Sequence, residues 1–436
     1  MRIEATPTLD KRRILVAVCG SIAAVKVPLL VSSLVQAGAE VRCLVTSSAA
    51  RLVSPVALAS LSRHRCYKEN DQWLASEPRP LHVALSEWAE LVLVAPLSAS
   101  SLARWCHGLA DGLVASTLIA CNRPIVVAPA MNTSMWENPV INNNWNNLLR
   151  NPHILGIPPS SGLLACDRFG EGRMVHPELL LLAVASALHQ WNGKDTLKRD
   201  WSGYHLLVTA GATSEPLDPV RAIGNRSSGR MGVLLAQAAR LRGASVDLVH
   251  GPLRVPTPWL EGLKLHTAET GEAMGLVLEA LQPSANALAL AAAVADLRPV
   301  AGISYSKLPK QRLLEKMGGM FWEIVPDLLA AVVARRCNGQ VVLGFSALTG
   351  SDAEMLEQGL DKIIKKGCDL LMVNPVDRPG QGLEEDRNGG WLLGPLSRTE
   401  SIPVVDKLVL AHWLLDRLAT ALQAAKSVKP WLSDSV

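Results

Sequence analysis

The sequence predicts an α/β protein made of two doubly wound parallel-sheet domains. Three observations carry this. The 436-residue chain is 49% apolar and 19% charged, with three Tyr and three Phe, a composition that packs Ala, Leu and Val between alternating layers of strand and helix. Short apolar runs recur, and each passes directly into Gly, Ser, Pro or Asn, as buried parallel strands do. Each half also opens on a strand, a helical pattern and a second strand with Gly as the helix stop, which is a βαβ unit.

In the first half, ILVAVCGS ends as a strand at Gly20-Ser21, a helix follows over about 22–37, Gly38 stops it, and Val41–Val45 is the next strand. The turn is not G-x-G-x-x-G, so a dinucleotide fingerprint is absent. LVLVA at 91–95 and IVVA at 125–128 are further strands, cut off by Pro96 and Pro129. Parallel sheets bind ligands beyond the carboxyl ends of their strands. The four exits CGS, VTSS, APLSAS and APAMN therefore converge on one crevice, and a flavodoxin-like sheet holding a flavin suits it. WNGKDTLKRDW at 191–201 breaks the apolar pattern and reads as a linker between domains at 1–190 and 202–436.

The second half is Rossmann-like. LLVT at 206–209 leads into a long small-and-polar stretch, TAGATSEPLDPVRAIGNRSSGRMG, before a helix that runs to about Arg242 with Gly243 as its stop. So long a connection in a compact domain is usually a binding loop. Asn225, Arg226 and Arg230 crowd beside Ser227 and Ser228 ahead of that helix, which suits an anionic ligand. Strands follow at 246–249, 287–294, 340–345 and 369–373, with Asp296, Ser346 and Asn374 at or beyond their ends. A Gly/Ser/Tyr stretch from Val300 to Lys310 carries Lys307 and Lys310 on an expected mobile loop. The helix over about 407–426 is amphipathic and is expected only to pack.

A net charge of +4 is mild for this length and makes no case for nucleic acid. No apolar run reaches the roughly eighteen residues of a membrane span, and the start of the chain lacks a secretory h-region. The eight Cys form no C-x-x-C pair and no Cys/His ligand spacing. A cytoplasmic protein is expected, and no metal ligand can be named.

From about Arg12 to His412 the chain resembles the bifunctional phosphopantothenoylcysteine decarboxylase/phosphopantothenate–cysteine ligase family of coenzyme A biosynthesis. The resemblance rests on GSIAAVK, HVALSEWAE, PAMN and SGLLAC-x-x-x-G-x-GRM in the first half. In the second it rests on TAG-x-T-x-EPLDPVR, N-x-SSG-x-MG, AAVAD and KKG-x-DLLMVN. Any one of these is weak; eight in family order are specific. The resemblance implies an FMN-dependent decarboxylase followed by a CTP-dependent ligase, acting on phosphopantothenate, cysteine and CTP with Mg²⁺. It implies that His82 assists the oxidative step, that Asn132 holds the substrate carboxylate, and that Cys166 returns a proton to the enethiol. FMN contacts are expected at Gly20, Ser21, Ser47 and Ser98. For the ligase it implies Asn225 in acyl-cytidylate turnover and Lys307 on a closing loop. Asp296, Pro326, Asp327, Leu328, Leu329, Phe345, Lys362 and Lys366 match CTP-contacting positions, with Lys365 on a solvated face. The family also implies a homo-oligomer, with trimeric decarboxylase cores and dimeric ligase domains.

Several positions depart from the family pattern. Gly112 replaces an acidic residue in GLADGLV, Asp167-Arg168 stands where Gly-Asp is usual, Val325 replaces Asn, and Leu348 replaces Glu. The Lys loop is one residue longer and contains Pro309, which leaves Lys310 as an alternative to Lys307. Two other readings compete. One is a non-catalytic or half-active flavoprotein regulatory subunit of the same fold, which the joint presence of His82, Asn132 and Cys166 opposes. The other is an NAD-linked reductase, which lacks its G-x-G-x-x-G.

Overall fold

The computed structural model describes residues 9–76, 78–191, 196–300, 306–307, 309–311, 322–394 and 399–427. The chain divides into two compact units between Lys198 and Arg199.

The first unit carries β1 (Arg13–Val18), β2 (Glu40–Val45), β3 (Cys66–Lys68), β4 (Leu91–Leu97), β5 (Ile125–Pro129) and β6 (Ile154–Gly156). They form one parallel sheet in the order β3-β2-β1-β4-β5-β6. Without the three-residue edge strand β3, this is the flavodoxin-type order, and the chain reverses direction across the sheet between β1 and β4. β4 and β5 are buried along their whole length, which is why they read as unbroken apolar runs and not as alternating ones. The helix expected at 22–37 is split. A 3₁₀ turn, Ile22–Lys26, precedes an α-helix, Val27–Gln36, because Pro28 fits only the first turn of the latter. An antiparallel hairpin, β7 (Ser160–Leu163) with β8 (Phe169–Arg173), stands apart from the sheet as a flap. Its turn closes with Leu164 N–H donating to Arg168 O at 2.8 Å and with Asp167 in the left-handed region at φ 59°. Aspartate tolerates that conformation, so the departure from Gly-Asp leaves the hairpin formed.

The second unit contains β9 (His205–Ala210), the hairpin β10 (Ser214–Asp218) and β11 (Arg221–Gly224), then β12 (Ser245–His250), β13 (Lys264–Thr267) and β14 (Ala287–Leu290). A short pair follows, β15 (Leu297–Pro299) with β16 (Trp322–Ile324). The unit ends with β17 (Val341–Leu348), β18 (Leu370–Pro375), β19 (Arg387–Leu393) and β20 (Thr399–Asp406). Its main sheet runs β13-β12-β9-β14-β17-β18-β19-β20, parallel through β18 and antiparallel for the last two pairs. The first six strands are in Rossmann order.

Two expectations change here. The long connection after β9 is not irregular throughout, because β10 and β11 pair within it. Asp218 Oδ1 accepts from Val220 N and Arg221 N at 2.8 and 2.9 Å and closes their turn. The strand expected at 287–294 stops at Leu290. The alanines beyond it peel off to bond the end of β9 and the loop after it, with Ala292 N–H donating to Thr209 Oγ1 at 3.0 Å and Ala293 N–H to Gly211 O at 2.9 Å.

The described ends of the expected linker belong to the two units themselves. Trp191 ends the helix Pro177–Trp191, and Trp201 is fully buried in the second unit. Arg242, also fully buried, donates through Nε to Asp200 Oδ1 at 2.8 Å and pairs with Asp416 at 2.7 Å. Its Nη1 donates to His412 O at 3.1 Å. Residues 192–195 lie outside the described residues.

Candidate active sites

In the first unit the exits of β1, β4 and β5 and the flap enclose a cleft of about 560 Å³, lined among others by Gly20, Ser21, Ser98, Asn132, Cys166 and Gly172. A second cleft of about 610 Å³ shares Gly20, Ser98 and Ser100 with it and adds Thr46, Ser47, Ser101 and Arg104. All four positions expected to touch FMN thus fall on two adjoining clefts. The exits of β1 and β2 come so close that a Cβ on Gly20 would stand 2.5 Å from Ser48 Cβ. Ser21 precedes its 3₁₀ turn without making a side-chain cap bond. Thr46, not Ser47, accepts from Ala49 N. Neither Ser21 nor Ser47 is therefore spent on capping. Cys19, buried beside Ser98 and Ser101, has its thiol pushed up by burial and fills space as a neutral group.

Asn132 and Cys166 meet. Asn132 caps the short helix Thr133–Trp136, its Oδ1 accepting from Ser134 N at 2.9 Å, while its Nδ2 faces Cys166 Sγ at 3.1 Å. Cys166 is exposed on the flap turn. The flap is held over the Asn132 loop by Met131 N–H donating to Gly172 O at 3.0 Å. A Cβ on Gly172 (φ 149°) would stand 2.2 Å from Met131 O. His82 is not brought to this pair. It lies half-buried on the helix Leu81–Trp88 and lines neither cleft of its own chain.

In the second unit Asp296, Pro326, Asp327, Leu328, Leu329, Phe345, Lys362 and Lys366 line a single cavity of about 600 Å³, with Met274, Leu278 and Val294 as apolar wall. Lys362 and Lys366 stand one turn apart on the helix Asp352–Lys366. Lys362 Nζ donates to Ser346 Oγ at 3.0 Å and Lys366 pairs with Asp327. Lys365 is exposed and outside the cavity. Asn225 is not among the lining residues; it is tied to the cavity through Val294, to whose carbonyl its Nδ2 donates at 2.9 Å. Lys307 and Lys310 are exposed and are not among the residues lining this cavity; residues 301–305, 308 and 312–321 of that loop lie outside the described residues.

The basic crowd at 225–230 meets carboxylates of its own chain. Arg226 and Arg254 both pair with Glu384, at 2.5 and 3.3 Å, and Arg230 pairs with Asp386. Behind them a recess of about 110 Å³, lined by Ser227, Arg230, Asn374 and Lys407, shares Ala292 and Phe345 with the larger cavity. Lys407 was expected only to pack. It is 2% exposed and its Nζ donates to Gly382 O and Leu383 O at 2.7 and 3.2 Å. Burial, helped by the charge of Arg230 and opposed by Glu385 and Asp406, pushes its pKa down to about 8. From about pH 8 to 10.5 the folded chain sheds this proton while the unfolded chain keeps it. Stability must then rise with pH across that window, by up to about 3 kcal/mol. Urea unfolding of the full chain across the window is expected to show this rise, and Lys407→Met is expected to flatten it.

Among the described residues no group of His, Cys, Asp or Glu is arranged to hold a metal ion, and no helix is long and apolar enough to cross a membrane.

The family model "Flavoprotein" matches residues 2–189, and that of the DNA/pantothenate metabolism flavoprotein C-terminal domain matches residues 201–422. A Mycobacterium tuberculosis protein named coenzyme A biosynthesis bifunctional protein CoaBC is 35% identical over 425 residues, covering 95% of this chain and 98% of its own. An Escherichia coli protein of the same name is 35% identical over 416 residues, with the same coverage. Among solved structures, a PPC decarboxylase mutant complexed with pantothenoylaminoethenethiol is 35% identical over 40% of this chain and 96% of that one, at a TM-score of 0.38. Matched in both halves and along 95% of its length, the chain belongs to the bifunctional coenzyme A biosynthesis family.

Proposed function

We propose that the second unit joins cysteine to phosphopantothenate at the expense of CTP, and that the first unit decarboxylates the product to phosphopantetheine with FMN. The observation that carries this is the pairing of Asn132 and Cys166 across the first cleft. A carboxamide donor and a thiol in contact can hold a carboxylate and return a proton to the carbon it leaves.

The hydroxyls of Ser21, Ser47 and Ser98 and the Gly20 cradle fit FMN. When bound, FMN supplies the oxidation that gives the departing carboxylate's electrons a sink. Asn132 Nδ2 binds and orients the substrate carboxylate, fixed by its own Oδ1 bond to Ser134 N. The flap excludes water, and Cys166 donates the proton to the enethiol carbon from the flap side. His82 lies outside its own chain's clefts, and Ile22, Val25 and Leu29 beside them are 55–69% exposed. Both facts support trimers in which His82 serves a neighbouring copy.

In the ligase, the apolar wall with Pro326, Leu328 and Phe345 accepts the base. Lys362 and Lys366 on one face meet the triphosphate, with Mg²⁺ accompanying it. Asn225 faces the acyl cytidylate, and Lys307 or Lys310 closes over it. Dimers of this unit are proposed from the family resemblance alone. Eight free cysteines, two of them exposed, suit the reducing cytoplasm.

Mass spectrometry of the purified chain with phosphopantothenate, cysteine, CTP and Mg²⁺ tests the proposal. Phosphopantetheine with CMP is expected. Phosphopantothenoylcysteine accumulating without further change would remove the decarboxylase half of the reading. No product at all would leave a regulatory flavoprotein.

A further inference from the structure

We infer that Glu69 is a positioning residue of the flavin cleft, lending its carboxylate as the N-cap of a helix that has none of its own. The inference rests on the flavin reading above. The helix Leu113–Ala120 begins after Gly112, which has no side chain to cap it. A helix start leaves four backbone N–H groups without intrahelical partners. The carboxylate of Glu69, from 44 residues earlier in the chain, accepts from Leu113 N, and the neighbouring Val114 amide also favours its charged form. It also places a negative charge at the positive end of the helix dipole.

Gly112 is part of the same device. Its backbone (φ −154°, ψ 165°) is extended and open to any residue, so conformation does not demand glycine there. Space does. A Cβ on Gly112 would stand 2.7 Å from Glu69 Oε2 and 3.1 Å from its carboxyl carbon. One volume holds either a side chain at 112 or the carboxylate of Glu69, and whichever is present must supply the cap.

The cap matters to the cleft because it ties two parts of one wall together. Glu69, Gly112, Val114, Ala115 and Leu118 line the larger cleft that also contains Ser47 and Ser98. Glu69 itself opens the 3₁₀ turn Glu69–Trp73, whose start is fixed by Lys68 N–H donating to Asp71 Oδ2 at 2.9 Å. Burial, helped by the charge of Asp111, raises the Glu69 pKa against the opposing pull of the Leu113 and Val114 amides and of Arg104. Losing the carboxylate frees the helix start and the turn from each other, and the wall facing the hydroxyls loosens.

FMN titrated into the flavin-free full chain, read by quenching of flavin fluorescence, tests this without relying on turnover. Glu69→Ala is expected to weaken FMN binding about tenfold, the range of a lost cap. Gly112→Asn alone is expected to weaken it too, because the new side chain collides with Glu69. In the Glu69→Ala background the same Gly112→Asn change is expected to strengthen binding, back to within about threefold of wild type, since Asn is a strong N-cap. This reversal of sign is what a structural contribution unrelated to the flavin would not produce. Melting of the flavin-free chains separates the two: a cap that serves stability alone would move Tm and leave FMN affinity in place. Unchanged affinity in Glu69→Ala, or additive losses in the double variant, would overturn the inference while wild-type binding upholds the flavin reading. A wild-type chain that binds no FMN would overturn both.

Discussion

Cys166→Ser is expected to cut phosphopantetheine formation by about 10²–10⁴-fold, the usual contribution of a placed general acid, while ligation of cysteine to phosphopantothenate continues. The geometry gives the reason. Cys166 Sγ is 3.1 Å from Asn132 Nδ2 and exposed on the flap turn, so a carboxylate held by that amide, as proposed above, would lie beside the thiol. A serine hydroxyl keeps the contact and the shape but is a far weaker acid. Decarboxylation and proton return should therefore separate, with carbon dioxide released in a single turnover and the reduced product missing. The measurement is a time course by mass spectrometry with trapped carbon dioxide. Wild-type yields of phosphopantetheine would remove Cys166 from the chemistry.

The second large effect is expected from Gly172→Ala. Gly172 lies where β8 crosses the Asn132 loop, and its Cβ position is 2.2 Å from Met131 O. The obstacle is backbone on a strand exit, which cannot swing aside as a side chain would. A neighbouring glycine repeats the demand, since a Cβ on Gly170 would stand 2.5 Å from Thr133 Oγ1. The flap must lift, carrying Cys166 away from Asn132, and a displacement near 1 Å costs about 100-fold in rate. Decarboxylation should fall by that factor or more, with ligation and FMN content intact. The check is the rate of each half-reaction with the flavin absorbance of the purified variant. Full activity would mean that the flap contact is dispensable.

What the sequence made legible and what it hid follow from the range of the forces involved. The four strand exits were readable because buried parallel strands are apolar along their length, as in β4 and β5, and ligands sit beyond their ends. Asn132 and Cys166 were readable as family positions; their 3.1 Å contact was not, because it depends on how closely Gly170 and Gly172 let the flap approach the Asn132 loop. The hairpin β10–β11 was missed because Pro216 and Pro219 look like loop punctuation, while its turn is made by the Asp218 side chain. The arginines at 226 and 230 looked unpaired because Glu384 and Asp386 arrive from more than 150 residues away. Lys407 opens a helix with an ordinary amphipathic pattern, and nothing local shows that the segment 382–386 closes over it. Glu69 was hidden in the same way: a local pattern registers the missing cap at Gly112 but not the distant residue that replaces it.

The buried guanidinium of Arg242 bears on where this protein can be divided. Asp200 stands before the first strand of its unit and Asp416 in the final helix, so one side chain fastens the beginning of the unit to its end. Trp201, wholly enclosed, is the neighbouring peg. A portable version of the ligase half therefore cannot begin at 202, where the sequence pattern turns regular. It has to carry Asp200 and Trp201 with it, so these last residues of the apparent tether travel with the downstream enzyme as part of its body.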